Sequence, residues 1–231
     1  LRLGPGVELP VRSTVVRLPD GGLWLHSPVA MTPARVDALR AWGPVRHIVA
    51  PSALHHLWAA EAAEAAEAFG DAVLWGPRSL ADKRPDLPLT GWLDEAASGD
   101  DARWPEALGV VPVDGAPTFD ESVFHHHDSA TLICTDLLFH LLHPTGWLTP
   151  WLLRLMGTHR RLAVSGAWRL ATRDRAAAGA SVARVVAWPF ERVVMAHGEV
   201  VQGPGTHRAT TRALAWFLDA ADPALLVAAE P

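Results

Sequence analysis

Tyrosine is absent from the 231 residues and cysteine occurs once, as Cys134. Phenol acid chemistry, dithiol redox chemistry, a disulfide framework and a four-cysteine zinc site are therefore excluded. Lysine also occurs once, against nineteen arginines, which reflects a nucleotide bias more than a physical demand. The net charge of -5 supplies no positive field, so nucleic acid is excluded as a general partner. No long hydrophobic run is clean: Leu137 to Met156 is broken by His140, His143, Pro144 and Pro150, short of the roughly 20 apolar residues a membrane span needs. Leu1 to Pro10 lacks a basic stretch followed by an apolar one, so no signal peptide is expected. With a lone cysteine suited to a reducing compartment, this gives a cytoplasmic expectation.

What is present is a folded-protein composition, 49% hydrophobic and 19% charged, without a repeat or a linker-like break. One domain over residues 1–231 is expected. Thr14 to Leu18 and Leu23 to His26 flank a Pro-Asp-Gly-Gly turn and predict a β-hairpin. Thr32-Pro33 opens a helix that Gly43-Pro44 closes near Trp42, and Val45 to Ala50 follows as a strand. The Ala/Glu-rich stretch Leu54 to Phe69 predicts a helix stopped at Gly70, with Asp71 to Trp75 the next strand. Residues 76–105 read as irregular loop with short helical turns. Further strands are expected at Gly109 to Val113, Ser122 to His126, Thr131 to Thr135 and Arg192 to Ala196. Helices are expected around Trp151 to Met156, Thr172 to Ala187 and His207 to Phe217. Alternating strands and helices define an α/β class, and a helix-covered sandwich of two sheets fits.

Twelve histidines concentrate the chemistry. Three apolar strands end in ligand-type residues: Ile48 to Ala50 runs into His55-His56, Thr131 to Thr135 into Asp136, and Val193 to Ala196 into His197-Gly198. Strand ends feeding turns are where α/β folds keep their sites. Asp136, set among Leu and Phe, needs a cation, a hydrogen-bond cage or solvent to stay ionised. Three imidazoles and one carboxylate suit Zn, Fe or Mn. His55 and His56 are adjacent, and on a helix adjacent side chains diverge by about 100°, so both reach one ion only where the backbone is still turning. In a strand, His125 and His127 face one way and His126 the other, so at most part of that run faces any site. Glu61, Glu64 and Glu67 recur at helical spacing as a solvated face.

The order of hairpin, strand-helix-strand, "HIVAPSALHH", "TLICTDLLF" and "RVVMAHG" resembles the metallo-β-lactamase fold over nearly the whole chain, and more closely a divergent bacterial branch catalogued as a domain of unknown function. The resemblance implies an αββα sandwich, two mixed β-sheets packed face to face with helices outside. The family's His-x-His-x-Asp-His motif aligns with Pro51-Ser52-Ala53-Leu54-His55-His56, so Pro51 and Ala53 stand where the first two His belong and only His56 keeps the family residue. The family's bridging Asp aligns with Asp136 and its final His with His197. The His that precedes a Gly-Ser turn falls near Thr118 to Phe119 and is missing. The first metal position is thereby emptied of His, while His55, His56, Asp136 and His197 occupy the second.

The resemblance implies a hydrolase with one divalent metal, zinc first and iron or manganese next, with Asp136 and His197 as the catalytic pair. Its substrate would be an ester, thioester or lactone, a small and hydrophobic molecule if Leu137 to Met156 walls a pocket. That segment reads first as core, and a homodimer interface is a further option. A fold does not assign a function, so two alternatives stand beside it: a non-catalytic metal-binding or sensing relic, and an iron-dependent oxidoreductase.

Overall fold

The computed structural model describes residues 1–67 and 72–221. The chain forms two compact units, one of residues 1–11 and 111–231 and one of residues 12–110.

In the unit of residues 12–110, β3 (Thr14–Arg17) and β4 (Leu23–His26) form the expected hairpin, and Gly21 closes its turn at φ 84°. Helix α1 (Pro33–Trp42) carries the chain to β5 (Val45–Val49), parallel to β4. Helix α2 (Ala59–Glu67) leads to β6 (Val73–Gly76), and α3 (Arg78–Lys83), β7 (Gly91–Trp92) and α4 (Leu93–Ser98) follow in the stretch read as loop with helical turns. The sheet order is β3-β4-β5-β6-β7, with one antiparallel pair and the rest parallel. Leu23, Leu25, Ile48 and Leu74 pack with Ala59, Ala62 and Ala66 of α2. Small alanines let that helix lie close to the sheet, and each large apolar side chain so buried contributes about 1.5–3 kcal/mol. Trp24, alternating with Leu23 and Leu25, instead meets Trp104, which also packs edge-on to Trp75 at 4.9 Å.

The helix expected from Leu54 begins five residues late, at Ala59. Ser52 Oγ accepts from the N–H groups of Leu54 and His55, a local turn that competes with the helix. The expected end at residues 68–70 lies outside the described residues, as does Asp71.

In the other unit, β1 (Arg2–Gly4) and β2 (Val7–Glu8) form a short ribbon. The sheet order is β12-β11-β10-β9-β8, from β8 (Leu108–Pro112), β9 (Ser122–His126), β10 (Thr131–Cys134), β11 (Arg192–Met195) and β12 (Val201–Gln202). Helices α5 (Thr149–Leu155), α6 (Gly166–Ala171) and α7 (Arg175–Val186) lie between β10 and β11. The last helix expected is two, α8 (Thr206–Ala213) and α9 (Ala215–Ala221). Val123, Leu132 and Val193 of the sheet pack with Val182, Trp168 and Phe217 in one core. Both sheets are mixed, and the α/β class is as expected. No helix among the described residues is long and apolar enough to cross a membrane.

Candidate metal centre

Strands β10 and β11 run parallel with Cys134 beside Met195. Asp136 and His197 each follow two residues later, so the register delivers both to the same end of two neighbouring strands. His197 Nε2 lies 3.2 Å from Asp136 Oδ1, and both residues are buried. The other ring nitrogen, Nδ1, lies 2.8 Å from the carbonyl oxygen of Pro10. A carbonyl only accepts, so Nδ1 carries a proton and donates it to Pro10. With a proton on Nε2 the two form an ion pair, and a metal cation held by both would take that proton's place. Imidazole ligands of metals characteristically donate their second ring N–H to a backbone carbonyl in this way.

The surroundings fix both side chains. Phe139 stacks on the His197 ring with centroids 5.0 Å apart. Gly198 has φ 116°, and a Cβ there would fall 2.2 Å from the His140 carbonyl oxygen, so the turn after His197 requires glycine. Glu121, fully buried, accepts from the N–H of Thr135 at 2.6 Å and of Asp136 at 3.0 Å. This carboxylate pins the backbone that presents Asp136. Sequence reading passed over Glu121, Pro10 and Ser27. Only Glu121 had a usable signal, an acidic residue standing directly before an apolar strand.

In the unit of residues 12–110, His55 and His56 lie on the turn made by Ser52, ahead of the helix they were expected to open. His55 Nδ1 lies 2.9 Å from Ser27 Oγ. Ser27 is itself buried, with φ 48°, an uncommon conformation for a residue with a side chain. His56 Nδ1 instead meets Arg84 Nη1 at 3.1 Å. Burial, then Lys83 and Arg84, holds His56 below its ordinary imidazole pKa. His26, stacked on Trp24, is pushed down to about 3 by burial and then by His55.

The run His125-His126-His127 lies elsewhere. His126 pairs with Thr131 across the sheet, placing the run at the opposite end of β10 from Asp136, roughly 16 Å along the strand. His125 Nδ1 meets His127 Nδ1 at 3.1 Å, whereas His126 meets Ser129, the alternation expected of a strand. Trp188 stacks on His125, and burial, then the charges of His127 and His126, lowers its pKa to about 4.

The fold is that of the metallo-β-lactamases. A metallo-β-lactamase from Erythrobacter litoralis is similar at 17% identity, with 91% of this chain and 82% of that one covered and a TM-score of 0.57. The mono-zinc form of the metallo-β-lactamase FIM-1 from Pseudomonas aeruginosa is similar at 14% identity, 96% and 86% coverage and a TM-score of 0.54. The metal-soaked Flv1 flavodiiron core from Synechocystis is similar at 12% identity and a TM-score of 0.57, with 90% of this chain matching 52% of that one. A family model described as a domain of unknown function, DUF4336, matches residues 5–82. Comparison with curated proteins gives no sequence match.

Proposed function

We propose that the chain is a metal-dependent hydrolase with one divalent ion, and that Asp136 and His197, together with His55, are its ligands. The observation that carries this reading is the buried Asp136–His197 pair, with Nε2 3.2 Å from Oδ1 and Nδ1 held by the Pro10 carbonyl. His55 Nδ1 is engaged by Ser27, a contact that orients the ring as the partners of metal-bound imidazoles do. His56 is left out of the set, because Arg84 occupies its Nδ1 and the charges of Arg84 and Lys83 oppose a second cation.

When bound, the ion supplies Lewis acidity that polarises a carbonyl and acidifies water. The protein residues do the rest. Glu121 holds the Asp136 turn, Pro10 fixes the His197 tautomer, and Phe139 keeps the ring in plane. Without the paired ions of a dinuclear site, phosphodiesters are poor substrates, and the reading favours activated carbonyls: esters, thioesters and lactones. Zinc is the first choice for two imidazoles and a carboxylate.

The test is elemental analysis of protein purified without a His tag or chelator, followed by a panel of esters, lactones and phosphoesters with zinc, manganese and iron. About one metal per chain and chelator-sensitive ester or lactone turnover are expected. Absence of both metal and turnover replaces the hydrolase with a non-catalytic relic. The same donors suit iron, and oxygen consumption with Fe(II) but no effect of Zn would assign oxidative chemistry instead.

A further inference from the structure

Part of the apolar segment after Asp136 is core, as its sequence implies: Leu153 of α5 packs with Leu9 and Leu141. The opposite side of that helix does not. Trp151 and Leu155, one turn apart and so on one face, are 69% and 79% exposed, and Trp147 just ahead of the helix is 72% exposed. Trp147 is not loosely placed, since a Cβ at Gly6 would fall 2.2 Å from its indole nitrogen.

Residues 137–173 contain no Asp or Glu and five arginines, so the net charge of -5 divides into +5 here and -10 on the rest of the chain. Arg154, Arg160 and Arg161 are all exposed, and among the described residues none of them pairs with a carboxylate. Arg154 lies over the Trp151 ring at 5.3 Å. Arg161 Nε donates to the carbonyl of Gly157, two residues past the end of α5, at 2.7 Å.

We propose that this face, Trp147, Trp151 and Leu155 with Arg154, Arg160 and Arg161, docks on an anionic lipid bilayer. Indole and leucine side chains enter the headgroup boundary while guanidinium groups meet lipid phosphates, the chemistry of an interfacial helix. A seven-residue helix is only about 10 Å long, so it lies on a bilayer and does not cross it. The charge distribution selects this occupant over a second copy of the chain. A two-fold contact sets the same patch on itself, and a patch with three arginines and no carboxylate would then oppose like charges.

The experiment is co-sedimentation with vesicles of equal parts phosphatidylcholine and phosphatidylglycerol, against vesicles of pure phosphatidylcholine, at low and high salt. Binding to the anionic vesicles alone, weakened by salt, is expected. The triple variant Arg154→Gln/Arg160→Gln/Arg161→Gln should lower the partition coefficient roughly 100-fold, at about fivefold for each arginine. The variant Trp151→Ser/Leu155→Ser should lower it at least tenfold with an unchanged melting curve, since both side chains are exposed. Equal binding by wild type and both variants, or no binding to anionic vesicles at low salt, overturns the proposal. So does a dimer in ultracentrifugation that Leu155→Ser dissociates, which would assign the face to a second copy.

Discussion

The carboxylate of Glu121 accepts from the backbone N–H of Asp136 at 3.0 Å, and from the preceding N–H at 2.6 Å, without exposure to solvent. A buried charge satisfied by two backbone donors stabilises one conformation of the loop and penalises the others. Glu121→Gln turns an amide N–H toward one of those donors. It should cost about 2–3 kcal/mol in urea unfolding and lower metal content together with stability. A loss under ~0.5 kcal/mol would show that the loop holds itself.

Gly198 makes a second demand on the same turn. Gly198→Ala combines φ 116° with a Cβ 2.2 Å from the His140 carbonyl oxygen, backbone that cannot swing aside. We expect a loss of at least about 2 kcal/mol and displacement of His197, measured by unfolding and by metal content. An alanine variant as stable as wild type would mean that the turn relaxes freely.

Much of this was readable from residues alone. The hairpin of β3 and β4 follows from a Pro-Asp-Gly-Gly turn between apolar runs, and β9 spans the predicted Ser122 to His126. Asp136 and His197 were singled out because each ends an apolar strand, and a parallel register then brings them together. What was not readable depends on distant partners. Pro10 is 187 residues from His197, Ser27 is 28 from His55, and Glu121 is 15 from Asp136. No local pattern encodes the first two contacts, and the place of Glu121 directly before β9 marks it without naming its partner. The late start of α2 is different, since Ser52 was in view, but a serine at that position caps a turn as readily as it precedes a helix.

His125 gives a pH prediction away from the metal ligands. Its folded pKa is about 4 against the ordinary 6.5, because burial and two neighbouring imidazoles oppose its charge. The unfolded chain therefore takes up a proton at this residue before the folded one does. Its contribution to stability is complete above pH 6.5 and is lost as pH falls toward 4, approaching tenfold in the folding constant per pH unit. His125→Phe keeps the ring over Trp188 and should flatten that part of the profile in urea titrations at pH 7 and 4.5. Parallel profiles would show that His125 does not titrate as buried.

Cys134 is fully buried, and burial, then the charge of Glu121, raises its thiol pKa well above the ordinary value. The thiolate is the reactive form, so a thiol reagent at pH 8 should label native protein at least 100-fold more slowly than protein in urea. Fast labelling in native buffer would place the β10 end of the sheet in frequent local opening.

Metal content separates the two adjacent histidines. In the proposed ligand set His55 belongs with Asp136 and His197, whereas His56 faces Arg84. His55→Ala, Asp136→Asn and His197→Ala should each reduce bound metal at least tenfold, since each removes one donor of three. His56→Ala should retain most of it, because the lost partner is the Arg84 guanidinium and not a metal ion. The Ala triple variant of His125, His126 and His127 should also retain it, since that run lies at the far end of β10. Ser27→Ala provides the intermediate case, leaving all three donors while freeing the His55 ring, and a loss of roughly 10- to 100-fold in affinity is expected. Loss of metal from His56→Ala with retention in His55→Ala would exchange their roles. Loss from the triple variant would move the ion to the other end of the sheet.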